Sequence, residues 1–121
     1  MTGVQTCALP ISADAIMKAT QPWEQKALGR QVKNFDDVVW MKDAVGIVYY
    51  GNFLKFTQNM GYSHALKETK GKILVEASPT DTRWGIGMHE GQAGIEDPAN
   101  WKGENLLGKV LTQVRFELFG Q

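Results

Sequence analysis

The stretch from Glu76 to Gly108 constrains this chain more than any other. It reads Glu76-Ala-Ser-Pro-Thr-Asp81-Thr-Arg-Trp84-Gly85-Ile-Gly87 and, further on, Trp101-Lys-Gly103-Glu-Asn105-Leu-Leu-Gly108. Six glycines and two tryptophans fall within these 33 residues, with Glu76 and Asp81 near the start, directly after the apolar run Ile73-Leu74-Val75. A segment that only fills a core does not mix residues in this way. Glycine lets backbone turn sharply or approach a ligand closely. Tryptophan offers a flat face for a ring, and carboxylates offer charge and proton transfer. The pattern points to a polar, aromatic-walled pocket for a nucleotide-like or ribosyl-like molecule.

The rest of the composition narrows the classes of function. At 121 residues the chain is one domain at most, and 43% hydrophobic with 21% charged residues is ordinary for a globular protein with a real core. Thirteen basic residues balance thirteen acidic ones, which argues against a nucleic-acid polymer or an anionic membrane as the main partner. No apolar run approaches the roughly 20 residues that span a bilayer. One cysteine excludes an internal disulfide, and no Cys/His cluster suggests a metal. The expectation is a cytoplasmic protein with neither metal nor tightly held cofactor.

Residues 1–11, ending in Cys7-Ala-Leu-Pro-Ile11, carry no charge and no helical or strand period. They lack the basic start of a signal peptide. Their wording resembles the in-frame translation of a sequencing-library adapter, which puts the native start near Ser12 and makes Cys7 foreign. The alternative is a native disordered tail.

Along the chain, Ala13 to Ala19 is weakly helical. Thr20 or Gln21 with Pro22 and Glu24 marks a helix start, running to about Lys33 and ended by Asn34. From Asp36, apolar residues from Val39 and Trp40 to Phe56 recur mostly at three- and four-residue steps, which favours a long helix with Gly51 as a possible kink. Met60-Gly61 reads as a break, and Ser63 as the cap of a short helix to Thr69. Ile73-Leu74-Val75 is the clearest strand. An irregular loop covers Met88 to Asn100, and Asn105 leads a closing helix to about Leu118. The architecture is mainly α with one or two short β-strands that carry the site.

Glu76 follows the apolar run and can act as an acid or base there; it can equally cap the next turn or pair with a lysine. Asp81 sits in Pro79-Thr80-Asp81, good turn chemistry, yet a tryptophan and glycines follow it. Trp84 and Trp101 lie in Gly-flanked, non-periodic segments, so at least one is a candidate pocket wall. Asn105 either caps the last helix or serves a site, and that helix start is a natural seat for phosphate. His89 reads as a solvent-facing loop residue, Lys55 and Arg115 as surface charges on helices, either of which could instead lean toward a phosphate, and Trp40 as core by its spacing.

Taken together, this wording resembles the NADAR family (NAD- and ADP-ribose-associated, also called YbiA-like). The matching residues are Ala27-Leu28-Gly29-Arg30, Trp40, Lys55-Phe56, Gln58-Asn59, Leu66 and Thr69, followed by Leu74-Val75-Glu76, Asp81 and Trp84-Gly85-Ile86-Gly87. Trp101-Lys102-Gly103, Asn105-Leu106-Leu107-Gly108 and Arg115 complete them. The resemblance covers roughly residues 13 to 118. It implies a mainly helical single domain over 12–121 and an N-glycosidase. The implied substrates are riboflavin-pathway ribosylaminopyrimidine phosphates or ADP-ribosylated guanine, the latter as a modified nucleic acid base. It further implies Asp81 and Glu76 as catalytic residues, and Trp40, Trp84, Gly85, Trp101 and Asn105 as substrate contacts. The family's Ser-Glu-His-like motif, with a lysine after it, has no match ahead of Ser12. The resemblance therefore implies a domain whose N-terminal part, with an essential catalytic Glu, is missing, and a fragment inactive by itself. The alternative is a module that binds a nucleotide or ADP-ribose without cleaving it; a third reading is a purely structural domain.

Overall fold

Helix forms wherever apolar spacing and start signals coincide, and the computed structural model describes residues 10–32 and 35–121. Five α-helices follow one another: α1 (Pro10–Lys18), α2 (Pro22–Gly29), α3 (Asp37–Gln58), α4 (Met60–Lys67) and α5 (Leu106–Phe119). A single 3-10 turn, Pro98–Asn100, interrupts the long loop before α5. Of residues 1–11, only Pro10 and Ile11 lie in the described part, at the start of α1; Cys7 lies outside it. Lys33 and Asn34, the expected end of α2, also lie outside the described residues.

The chain divides into two compact units, Met1–Ile47 and Val48–Gln121. In the first, α1 and α2 are in contact. Helix α2 opens with Pro22 in its first turn, where a missing N–H costs nothing, and Glu24 sits favourably at the positive end of the helix dipole. Asp36 caps α3: its Oδ1 accepts the N–H groups of Val38 at 3.0 Å and Val39 at 3.2 Å. Helix α3 runs through Gly46 and Gly51 without ending, so the local β-rich run Val45–Tyr50 yields to the longer helical period.

The second unit holds a core of Leu66 from α4 with Val110 and Val114 from α5. Val48, Tyr49, Phe53 and Phe56 from the latter half of α3 pack against it, as do Leu118 and Phe119 from α5. Leu74 and Trp84 from the intervening loops complete the cluster. Val110 and Val114 lie four residues apart, so one stripe of α5 supplies them both. Helix α4 begins earlier than its sequence suggests. Asn59, not Ser63, is its N-cap, its side chain accepting the Tyr62 N–H at 3.0 Å, and Met60-Gly61 are its first residues rather than a break.

The expected strands are absent: no β-strand occurs among the described residues. Ile73-Leu74-Val75 has a strand's composition but no partner strand. The carbonyl of Leu74 and the N–H of Glu76 meet a side chain, the Asn105 carboxamide, at 2.9 and 3.0 Å. A parallel strand would address these same two groups through a peptide unit. One amide in place of a ladder leaves a strand-like segment that joins no sheet among the described residues.

Candidate functional site

Three loop segments of the second unit are tied into one knot by backbone hydrogen bonds. Glu76 accepts the Ile86 N–H at 3.0 Å through its carbonyl, and Asp81 likewise accepts the Gly87 N–H at 3.2 Å. The carbonyl of Ile86 accepts the Lys102 N–H at 2.8 Å, and that of Thr82 accepts the Glu104 N–H at 2.8 Å. Ile86 is fully buried, which anchors the turn from within. The knot leaves no room for side chains at its crossings. A Cβ on Gly85 would stand 2.8 Å from the Glu76 carbonyl oxygen and 2.9 Å from that of Asp81. The glycine pattern legible in the sequence is thus a packing requirement where segments cross.

Asp81 is held firmly. Its Oδ1 accepts the N–H of Arg83 at 3.0 Å and that of Trp84 at 2.8 Å, an arrangement that fixes the carboxylate plane and closes the turn. Both bonds use the same oxygen, so Oδ2 keeps its acceptor capacity. Glu76 lies beside the same glycine, its Cγ 3.3 Å from the position a Gly85 Cβ would take. No hydrogen bond or ion pair engages the Glu76 carboxylate among the described residues. Glu76, Asp81, Trp84 and Gly85 therefore meet at one place.

Asn105 joins them from the other side. It is 5% exposed and stands in the left-handed region at φ 54°, which asparagine tolerates better than most residues. It precedes α5, yet its side chain caps nothing; the carboxamide is committed to Leu74 and Glu76. Gly108, one turn on, lies against the Leu74 carbonyl and this same carboxamide, where any Cβ would collide. The N-terminus of α5 is not an open anion seat. The N–H groups of Asn105, Leu106 and Leu107 donate to the carbonyls of Gly85, Arg83 and Trp84 at 3.0, 3.1 and 3.0 Å.

Trp84 is half-buried against the Leu66–Val110–Val114 cluster. Trp101 is half-buried too, its indole N–H donating to the Ile95 carbonyl at 2.7 Å and fastening the loop that precedes it. Trp40, half-buried on α3, belongs to the first unit. His89 is exposed, as its loop position suggests. Lys55 is exposed and rests near the rings of Phe56 and Tyr62, 5.5 and 5.0 Å from their centroids.

Arg115 overturns its reading as a surface charge. It is 6% exposed, and its Nη1 lies within hydrogen-bond distance of the Thr69 carbonyl at 2.7 Å, the Thr69 hydroxyl at 3.0 Å and the Lys72 carbonyl at 3.0 Å. No carboxylate pairs with it among the described residues; the carbonyls beyond the end of α4, at the negative pole of that helix, take that place. Its position four residues after Leu111 and one after the buried Val114 was the available signal. It braces the turn that feeds the segment ending at Glu76.

Among the described residues no group of three or more His, Cys, Asp or Glu is placed to hold a metal ion, and no helix is long and apolar enough to cross a membrane.

Comparison with known proteins agrees with the sequence pattern. A protein named N-glycosidase from Acanthamoeba polyphaga mimivirus is 48% identical over 103 residues, covering 84% of this chain and 60% of that protein. Protein irg-1 of Caenorhabditis elegans is 41% identical over 109 residues, 88% of this chain and 51% of its own length. The chloroplastic riboflavin biosynthesis protein PYRR of Zea mays is 34% identical over 109 residues, 87% of this chain but 16% of its own length. The chain thus spans 60% and 51% of the first two relatives. The family model for the NADAR domain matches residues 5–119, and the chain belongs to the NADAR domain family.

Proposed function

We propose that the protein carrying this domain is an N-glycosidase that hydrolyses the bond between a ribose and a base or amine nitrogen. The observation that carries this reading is Asp81, locked in orientation by two N–H groups with one of its oxygens left available, in a turn that packs at Gly85 against Glu76. The names of two relatives support it: one is called an N-glycosidase, another a riboflavin biosynthesis protein.

Hydrolysis of an N-riboside breaks the C1′–N bond, leaves its electron pair on nitrogen, and lets water oxygen bond to C1′. The sugar carbon passes through an oxocarbenium-like state that a nearby fixed carboxylate stabilises. In this reading Asp81 holds the ribose hydroxyls or takes the proton of the attacking water through its available oxygen. Glu76 supports the hydrogen bonding at the same place, Trp84 stacks on the base, and Asn105 keeps the Glu76 backbone in position. A ribosylaminopyrimidine phosphate and an ADP-ribosylated guanine are the two substrate classes to test.

The decisive experiment uses the whole protein, with release of free ribose phosphate or ADP-ribose as the readout. Asp81→Asn keeps the turn's acceptor oxygen yet removes the charge, and should lower turnover by about a hundredfold or more. Full turnover in that variant would remove Asp81 from the chemistry. A second reading, a nucleotide or ADP-ribose binding module, draws on the fact that Asp81 and Asn105 both serve backbone groups. Calorimetric binding of ADP-ribose with no product from the whole protein would favour that alternative.

A further inference from the structure

Residues 72–76 lie in no helix or turn, the chain bending only where the Ser78 N–H donates to the Glu76 carbonyl at 3.1 Å, and their inner side is addressed through Leu74 and Glu76. In an extended segment the neighbouring residues point their N–H and C=O groups the opposite way. Those neighbours are Ile73 and Val75. Neither makes a backbone hydrogen bond among the described residues, and their side chains are 69% and 36% exposed. No proline lies between Lys72 and Ser78, and Lys72 is the only basic residue there. An apolar edge with unpaired backbone groups and so little protection is a template for pairing with another extended chain.

We propose that this edge pairs, antiparallel and about a two-fold axis at Leu74, with the same edge of a second copy of the chain. The sequence Lys72-Ile73-Leu74-Val75-Glu76 is self-complementary in that register. Ile73 stands opposite Val75 of the second copy, and the two exchange both N–H···O bonds, which uses the outward-facing backbone groups and no others. The symmetric pair does the same. Leu74 faces Leu74, and Lys72 faces Glu76 of the second copy at both ends, so opposite charges meet twice. The two Ile73 and two Val75 side chains form one apolar patch on the exposed face. A shift by one residue would turn the inward, already bonded groups toward the partner, and among the shifts by two that remain only this register sets Lys72 against Glu76 at both ends. The second copy's Lys72 would thereby lie beside the Glu76 carboxylate, which makes no hydrogen bond or ion pair among the described residues.

The test is sedimentation equilibrium of this chain across a wide concentration range, combined with hydrogen exchange. The expected result is a reversible dimer in which the Ile73 and Val75 amides gain protection as concentration rises. Val75→Pro removes one outward N–H without touching any bond among the described residues, and should give a monomer with unchanged helix content. Lys72→Glu sets like charges together at both ends and should weaken the dimer about tenfold, with Lys72→Glu/Glu76→Lys restoring it. A monomer at every concentration overturns the proposal, including one whose Ile73 and Val75 amides are already protected by another part of its own chain. A dimer that survives Val75→Pro overturns it as well.

Discussion

Replacing Asn105 by alanine removes the side chain that joins the segment ending at Glu76 to the start of α5. Two part-buried hydrogen bonds go, to the Leu74 carbonyl at 2.9 Å and from the Glu76 N–H at 3.0 Å. The Leu74 carbonyl and the Glu76 N–H are each left without a partner, at about 1–2 kcal/mol apiece. Alanine at φ 54° adds about 1 kcal/mol of left-handed strain that asparagine partly avoids. The sum is about 3–5 kcal/mol, a large part of the roughly 5–15 kcal/mol that holds an ordinary domain together. Chemical denaturation, followed by circular dichroism, measures it directly. Asn105→Gly separates the terms, since glycine accepts the left-handed backbone but supplies no amide; it should lose about 2–4 kcal/mol. Asn105→Asp keeps the acceptor for Glu76 but sets a carboxylate oxygen against the Leu74 carbonyl, and should do no better than glycine. The Glu76 amide should exchange faster in all three. An Asn105→Ala protein within about 1 kcal/mol of the parent would refute the bridging role.

Gly85→Ala drives a methyl into the Glu76 and Asp81 carbonyls and should destabilise by about 2 kcal/mol or more, read by thermal unfolding. Arg115→Met removes the brace on Thr69 and Lys72 while keeping the apolar stem. It should cost about 2–4 kcal/mol and speed amide exchange from Thr69 to Glu76, whereas a loss confined to α5 would contradict the brace. Trp101→Phe deletes one hydrogen bond to the Ile95 carbonyl; stability should fall by about 1 kcal/mol, with limited proteolysis appearing first between Met88 and Asn100. Leu66→Ala opens the centre of the core and should cost about 2–5 kcal/mol in denaturant titration.

What the sequence made legible was local. The apolar steps from Asp36 onward and from Leu106 to Leu118 gave α3 and α5 almost to the residue, because a helix carries its own hydrogen bonds. Ile73-Leu74-Val75 misled for the opposite reason: a strand exists only with a partner, and that partner is a side chain some 30 residues away, at separations of 29 and 31. Asp81 was readable as turn chemistry, and its Oδ1 does close the turn. The roles of Asn105 and Arg115 depend on contacts made across 29 to 46 residues, which no window of neighbours reports. Arg115 still left a trace, a charged residue placed on an otherwise apolar stripe. The start of α4 was missed because Met60-Gly61 looked like punctuation while Asn59 ahead of it had the capping side chain.

The occupied start of α5 has a dynamic consequence. Because Asn105, Leu106 and Leu107 hand their amide protons to Gly85, Arg83 and Trp84, the Asp81 turn is bolted to a fourteen-residue rod. Any swing of that turn would have to drag the rod, and with it Val110 and Val114, out of register with Leu66. The turn is therefore a stationary surface. The stretch between Met88 and Asn100 is secured differently, by the buried Met88, the Trp101 indole bond to Ile95 and side-chain bonds of Gln92, Asp97 and Asn100 within the loop itself.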